Sequence, residues 1–164
     1  MGLTFVLLFI ELILVVAFLA LTVACIPKIM VQTAPSDIRD KVMEREDYPL
    51  WRTILGFAGA IAILALVAGI FIYAGKDAIA RKMNFVQIFE RFAILLCGYK
   101  IFDMVCFDYI LLTKLNIFQT FFPETIGCKG YESFGFNLKS QLLKLFIFVL
   151  VSLGIAAILS KMVF

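Results

Sequence analysis

Charged side chains interrupt one of the long apolar segments of this chain. Residues 86–112 are apolar enough to cross a membrane, yet they include Glu90, Arg91, Lys100, Asp103 and Asp108. A charge near the bilayer centre costs at least ~2.5–3.5 kcal/mol on insertion scales, so such side chains usually face protein or water and pair with one another. We therefore expect this segment to contribute the polar interior of the protein.

Opposite charges on different segments have similar depths in the membrane. With a rise of ~1.5 Å per helical residue, Glu11 lies ~12 Å and Arg91 ~8 Å below the outer ends of their segments. Lys100 and Asp103 are three positions apart and share one helix face. The predicted charge pairs are Glu11–Arg91, Lys100–Asp103 and Asp108–Lys144. In one interpretation, the two members of each pair neutralise each other and fix the helix register. In the other, these residues line a polar cavity or pathway. The candidate binding residues are then Lys100, Asp103, Glu11, Arg91, Asp108 and Lys144.

A second group of polar candidates lies in the loop of residues 113–141. This loop contains six aromatic residues, three glycines and a proline, which is too apolar for a free linker. Such a segment is expected to lie in the membrane interface or to fold back as an ordered lid. Its polar candidates are Glu124, Lys129, Glu132 and Asn137. Cys128 in the same loop is expected to be exposed.

The elements that position these residues are transmembrane helices. Of the 164 residues, 63% are hydrophobic and only 16% are charged, which is typical of a membrane protein that crosses the bilayer several times. About 20 residues cross the hydrocarbon core. The fold class is thus an all-α integral membrane protein, a four-transmembrane-helix bundle that forms a single domain over residues 1–164. The four predicted spans are residues 3–26, 53–74, 86–112 and 142–164.

The first loop should contain a short amphipathic helix. Pro35 with either Thr33 or Ser36 marks its start, and Ile38, Val42 and Met43 share one face. The remaining positions carry mixed charge, so the helix is expected to be solvated or to lie on the membrane surface. The alternative is a docking surface for a partner.

Small residues recur along the second predicted span. Ala58, Ala62, Ala65 and Gly69 form one stripe, and Gly56 and Ala60 form a second small pair. Small residues allow helix backbones to approach closely in lipid. The spacing predicts packing either within the chain or between copies of it.

The distribution of basic residues predicts the orientation in the cell membrane. The two longer loops contain eight lysines and arginines, against four on the opposite side and in the tail. Basic residues favour the cytoplasmic side. Both longer loops, including the amphipathic helix, are therefore expected in the cytoplasm and both termini outside it.

The residues that several common kinds of site require are absent from the sequence. The chain has no histidine, which excludes histidine-based acid–base catalysis and the usual zinc sites. Its four cysteines form no CxxC motif, and no phosphate-binding or dinucleotide-binding glycine motif occurs. The net charge of +3 is dispersed, without a basic run that would bind nucleic acid. We expect no metal ion, no cofactor and no nucleic-acid partner.

Two classes of function remain open. The first is a non-enzymatic membrane protein, either transporter-like, channel-like or an accessory subunit, that uses the polar third transmembrane helix. The second is an intramembrane enzyme that acts on a lipid at the Lys100/Asp103 region and the 113–141 loop. The first is favoured because no recognisable catalytic constellation is present. The expected partners are membrane lipids and a homo-oligomer or larger membrane complex, since four helices are few to enclose an aqueous route.

Overall fold

The described part of the chain is helical, without strands. The computed structural model describes residues 1–115, 117–132 and 137–163. The α-helices are α1 (Gly2–Cys25), α2 (Pro27–Met30), α3 (Ser36–Met43), α4 (Leu50–Ala80), α5 (Phe85–Phe102), α6 (Ile117–Phe121) and α7 (Leu138–Val163). One π-helix spans Asp103–Lys114, and short 3-10 helices span Val31–Thr33, Pro123–Thr125 and Lys129–Glu132.

Among the described helices, three are long and apolar enough to cross a membrane, namely α1, α4 and α7. They coincide with three of the four predicted spans, although α4 continues beyond the predicted end at Ala74 as far as Ala80. The remaining predicted span is helical, but α5 has only 18 residues and carries Glu90, Arg91 and Lys100. The described chain is thus all-helical with three candidate spans, as expected for an all-α protein. The four-helix membrane bundle and its fourth crossing stay predictions.

The third predicted span is not a uniform α-helix. It begins with a capping box, in which the Asn84 side chain accepts a hydrogen bond from the Gln87 backbone and the Gln87 side chain accepts one from Asn84. From Asp103 it continues as a π-helix, an arrangement that elsewhere is rare and mostly limited to one turn.

The chain divides into two compact units, each built from several stretches. Unit 1 comprises residues 1–14, 65–103 and 137–164, and unit 2 comprises residues 15–64 and 104–136. The prediction of a single transmembrane domain stays a prediction.

The core of unit 1 receives side chains from α1, α4, α5 and α7. On α1, the buried residues Thr4, Leu7 and Glu11 recur at helical spacing and define one inward face. A Cβ atom placed on Gly98 of α5 would lie 3.1 Å from Leu8 Cδ2, so α1 and α5 approach closely there. The buried core residues are Leu7, Ile70, Ala74, Ala78, Ile88, Phe92, Leu95 and Ala156.

The core of unit 2 joins the first loop to the last loop. Ile38 and Val42 of α3 are fully buried, whereas Met43 is exposed. Ile38 and Val42 pack with Phe118, Phe122 and other apolar side chains of the last loop. The prediction of a solvated or membrane-surface helix was therefore wrong for the apolar face of α3, because the aromatic side chains of the last loop cover it.

Close helix packing in unit 2 depends on glycine. A Cβ atom on Gly56 of α4 would lie only 2.7 Å from Cys25 Cβ of α1. Gly56 and Ala60 are buried, as expected for a small pair at a helix contact. The other predicted stripe, formed by Ala58, Ala62, Ala65 and Gly69, is exposed.

Candidate functional site

Glu11 is a carboxylate in the interior of unit 1. Only 2% of the residue is exposed, and its Oε2 atom has no hydrogen-bond partner among the described residues. Two turns earlier on the same face of α1, the Oγ1 atom of Thr4 is also buried and unpartnered within the described ranges. A buried charge without a partner is costly, so such a carboxylate takes up a proton or binds a cation.

Arg91 pairs with a carboxylate other than the predicted one. Its Nη1 atom lies 2.7 Å from Asp77 Oδ2 and donates a second hydrogen bond, of 3.0 Å, to the carbonyl of Ala74. The other oxygen of Asp77 accepts a hydrogen bond of 2.8 Å from Arg81 Nε. The predicted Glu11–Arg91 pair was wrong, because α4 continues past the apolar run and brings Asp77 to Arg91.

Asp77 is the residue of this arrangement that the sequence reasoning missed. It was placed outside the second span, since hydropathy falls after Ala74. The spacing of Asp77 and Arg81, four positions apart, is the signal that indicates a continuing helix.

The predicted pairing of Lys100 with Asp103 is present. The ammonium group of Lys100 donates a hydrogen bond to Asp103 Oδ2 at the end of α5, and Lys100 is buried. The Tyr99 phenol lies close enough to the carboxylates of Asp103 and Glu11 to interact with them electrostatically. The centres of the Tyr99 and Phe148 rings are 6.4 Å apart. We call Glu11, Tyr99, Lys100 and Asp103 the inner polar cluster.

Asp108 and Lys144 belong to different units, and their predicted pairing stays a prediction. Asp108 lies on the π-helix of unit 2, where its backbone carbonyl accepts a hydrogen bond of 2.9 Å from Thr113 Oγ1. Lys144 is exposed on α7 in unit 1. A binding role for either residue is also untested.

The polar candidates of the last loop have separate surroundings. Glu124 is half-buried, and its carboxylate lies 3.8 Å from Arg45 Nη1. Lys129 and Glu132 are exposed. Asn137 lies just before α7, where its backbone carbonyl accepts a hydrogen bond from the backbone N–H of Gln141. Of the aromatic residues expected to anchor this loop, Phe134 and Phe136 lie outside the described residues.

The described part of the last loop is attached to α3 by polar contacts. Asp37 Oδ2 accepts a hydrogen bond of 2.9 Å from the backbone of Gly130, and the Asp37 carbonyl lies 3.5 Å from Cys128 Sγ. Cys128 is half-buried, so the prediction that it is exposed was wrong. A Cβ atom on Gly130 would lie 2.6 Å from Pro35 Cβ, which leaves room for glycine alone.

A buried hydroxyl pair stabilises the same loop from within. Thr125 Oγ1 donates to the carbonyl of Phe122 at 2.6 Å and lies 2.6 Å from the hydroxyl of Tyr131. Since the single hydroxyl proton of Thr125 is already used, Tyr131 is the donor in the second hydrogen bond. Burial raises the pKa of the Tyr131 phenol, which keeps this donor protonated.

Replacing Asp37 with alanine is expected to loosen the last loop. The substitution removes the acceptor of the Gly130 amide, and hydrogen bonds to charged groups contribute about 1.5–3 kcal/mol. Amide exchange of residues 125–131 should become about 10- to 100-fold faster. Hydrogen-exchange mass spectrometry measures this change, with Asp40→Ala as the control because the Asp40 carboxylate, among the described residues, pairs with its neighbour Arg39 alone. Equal exchange in the two variants would contradict the attachment through Asp37.

Comparisons with protein-family models, curated proteins and solved structures found no match to this chain. Its own buried residues are therefore the basis for assigning a function. Within the described ranges, no group of three or more cysteine, aspartate or glutamate side chains is arranged to hold a metal ion. The inner polar cluster is the candidate site that combines burial, charge and an unpartnered oxygen atom.

Proposed function

We propose that this chain is a four-span integral membrane protein with a non-enzymatic, transporter-like or channel-like function, in which Glu11 binds a proton or a small monovalent cation. The observation that carries the proposal is the buried Oε2 atom of Glu11, which lacks a partner among the described residues. The cations described in unit 1 near the core are already engaged, Arg91 by Asp77 and Lys100 by Asp103. A proton or an external cation is then the remaining way to neutralise Glu11.

Membrane insertion is supported by the apolar surface of the long helices. The side chains of Phe9, Leu64 and Ile158 are among the many large apolar groups exposed on α1, α4 and α7. Contiguous apolar surface of this kind requires cover, which a bilayer supplies. The lengths and hydropathy of these three helices support the same conclusion.

A fourth crossing by α5 and the π-helix is supported by the burial of its charges. Arg91 and Lys100 are both buried, so neither would contact lipid. Unit 1 also has one core to which all four predicted spans contribute. A helix whose charged groups face protein can cross a bilayer in spite of them.

A route for the ion is suggested by the inward face of α1. Thr4 and Glu11 lie on this face with buried oxygen atoms that have no partner in the described part of the chain. Hydroxyl and carboxylate oxygens spaced two turns apart form successive sites for a proton or a cation, as in polar pathways through membrane helices. The route would begin at the N-terminal end of α1.

Replacing Glu11 with glutamine is expected to reduce proton or cation flux about tenfold or more, because the amide cannot carry the charge that is neutralised during transport. The protein is reconstituted in liposomes that contain a pH-sensitive or sodium-sensitive dye, and flux is started by a potassium diffusion potential. Glu46→Gln is the matched control, since Glu46 is an exposed carboxylate of the first loop. Equal flux in wild type and Glu11→Gln, or wild-type flux no greater than that of empty liposomes, would overturn the proposal in favour of an accessory subunit.

The same assay tests whether several copies are required. The exposed stripe of Ala58, Ala62, Ala65 and Gly69 on α4 is available for close contact with a second copy of the chain. If copies together enclose the route, flux per protein molecule should rise with the protein-to-lipid ratio. A constant flux per molecule would show that one copy suffices.

A further inference from the structure

Unit 2 contains an apolar cavity of about 400 Å³ that the proposed ion pathway does not use. One wall is a stripe of α1, in which Val16, Ala20 and Val23 recur at helical spacing up to Ala24. Leu111 and Phe118 also line the cavity. From residue 16 to residue 24 the helix rises ~12 Å, so the cavity is elongated along α1. Its volume falls within the range of about 300–1,000 Å³ that is usual for small-molecule sites.

The cavity has a cationic rim. Arg52 and Tyr48 also line it, and the guanidinium carbon of Arg52 lies 4.0 Å above the centre of the Tyr48 ring. Arg52 has no acidic partner in the described part of the chain. Arg45 also lies over Tyr48, at 5.4 Å, but it is 3.8 Å from the carboxylate of Glu124. Arg52 is therefore the cation of this rim that remains available to a ligand.

The position of the rim matches the level of lipid headgroups. Arg52 lies in the first turn of α4, beside the exposed Trp51, and tryptophan and tyrosine are enriched at membrane–water interfaces. From this level the cavity extends along the apolar stripe of α1. A ligand that fills it must carry a negative charge at one end and a long apolar group at the other.

We propose that this cavity binds one acyl chain of an anionic phospholipid, with the lipid phosphate held by Arg52. A guanidinium group presents paired N–H donors that match phosphate oxygens, and its stacking on Tyr48 holds the group in place. A zwitterionic phospholipid carries its own ammonium group, which competes with Arg52 for the phosphate. The site should therefore prefer lipids with a net negative charge. It requires only that α1 and α4 lie in a bilayer, and it does not depend on ion binding at Glu11.

Trp51, the single tryptophan of the chain, is exposed and directly precedes Arg52, so its fluorescence can report on a lipid held at Arg52. The full-length protein is reconstituted in vesicles that contain either brominated phosphatidylglycerol or brominated phosphatidylcholine, because bromine on the acyl chains quenches nearby tryptophan fluorescence. Half-maximal quenching of the wild type is expected at an about fivefold lower mole fraction of the anionic lipid, which corresponds to about 1 kcal/mol for one basic side chain near anionic lipid. Equal quenching by the two lipids would overturn the proposal.

Two pairs of variants separate the headgroup contact from the acyl-chain contact. Arg52→Gln should abolish the preference for the anionic lipid. Lys41→Gln removes the same charge from the exposed face of α3 and should leave this preference unchanged. Ala20→Phe fills the cavity and should also abolish the preference, whereas Ala17→Phe lies on an exposed face outside the cavity and should not. Equal losses in Arg52→Gln and Lys41→Gln would indicate general surface attraction and overturn the site. If Ala20→Phe still prefers the anionic lipid, the proposal that the acyl chain lies in this cavity is overturned.

Discussion

Replacing Arg91 with methionine is expected to lower the free energy of unfolding by about 3–5 kcal/mol, the range found when one member of a buried ion pair is removed. Only 2% of Arg91 is exposed, and its guanidinium contacts the Asp77 carboxylate and the Ala74 carbonyl. Methionine retains an apolar stem but leaves Asp77 in a largely buried position with Arg81 alone. Denaturant-driven unfolding in mixed micelles, followed by far-UV circular dichroism, measures the loss.

Arg81→Met is the matched control for this prediction. Arg81 bonds the same carboxylate but is exposed, and exposed ion pairs add little to stability. Combining Arg91→Met with Asp77→Leu should recover part of the lost stability, because no charge is then left buried without its partner. Equal losses in the two arginine variants, or a double variant that shows purely additive losses, would contradict a buried Arg91–Asp77 pair.

Replacing Gly56 with leucine is expected to lower the free energy of unfolding by about 3 kcal/mol, the upper part of the usual cost of adding side-chain atoms to a packed interior. A Cβ atom there would lie 2.7 Å from Cys25 Cβ and 2.9 Å from Ile26 Cγ2. Both atoms are close to the α1 backbone and cannot move aside, so α1 and α4 would have to separate. The same unfolding measurement in mixed micelles detects the change.

Gly154→Leu provides the control for the Gly56 variant. Gly154 is a helical glycine of α7 with no atom within 4 Å of an added Cβ, so leucine should be tolerated there and should favour the helix. Similar losses at the two positions would mean that the helix contact at Gly56 does not contribute to stability.

Properties that depend on neighbouring residues in the sequence could be predicted. The helices α1, α4 and α7 were predicted because length and apolarity identify a candidate span without reference to any partner. The pairing of Lys100 with Asp103 was predicted for a similar reason, since positions three apart on a helix are close whatever surrounds them. Pro35 predicted a helix start with either Thr33 or Ser36, and the structure places that start at Ser36.

The partner of Arg91 could not be predicted in this way. Glu11 was matched to Arg91 by its depth, whereas Asp77 was not considered because hydropathy placed it outside the span. The choice between them depends on how far α4 continues beyond its apolar run and on which of its faces meets α5. These are properties of helix packing, and the 2.7 Å contact of Arg91 with Asp77 exists only once unit 1 is assembled.

Composition and spacing alone indicate a helical, apolar chain with charged residues inside an apolar segment and small residues at helical spacing. Tertiary structure decided which of two equivalent small-residue patterns is a helix contact, since Gly56 meets Cys25 whereas Ala62 is exposed. It also decided that the apolar face of α3 is covered by Phe118 and Phe122 and that Glu11 is left without a described partner. The physical reason is that periodicity defines the faces of a helix, whereas burial and pairing depend on which other surface packs against each face.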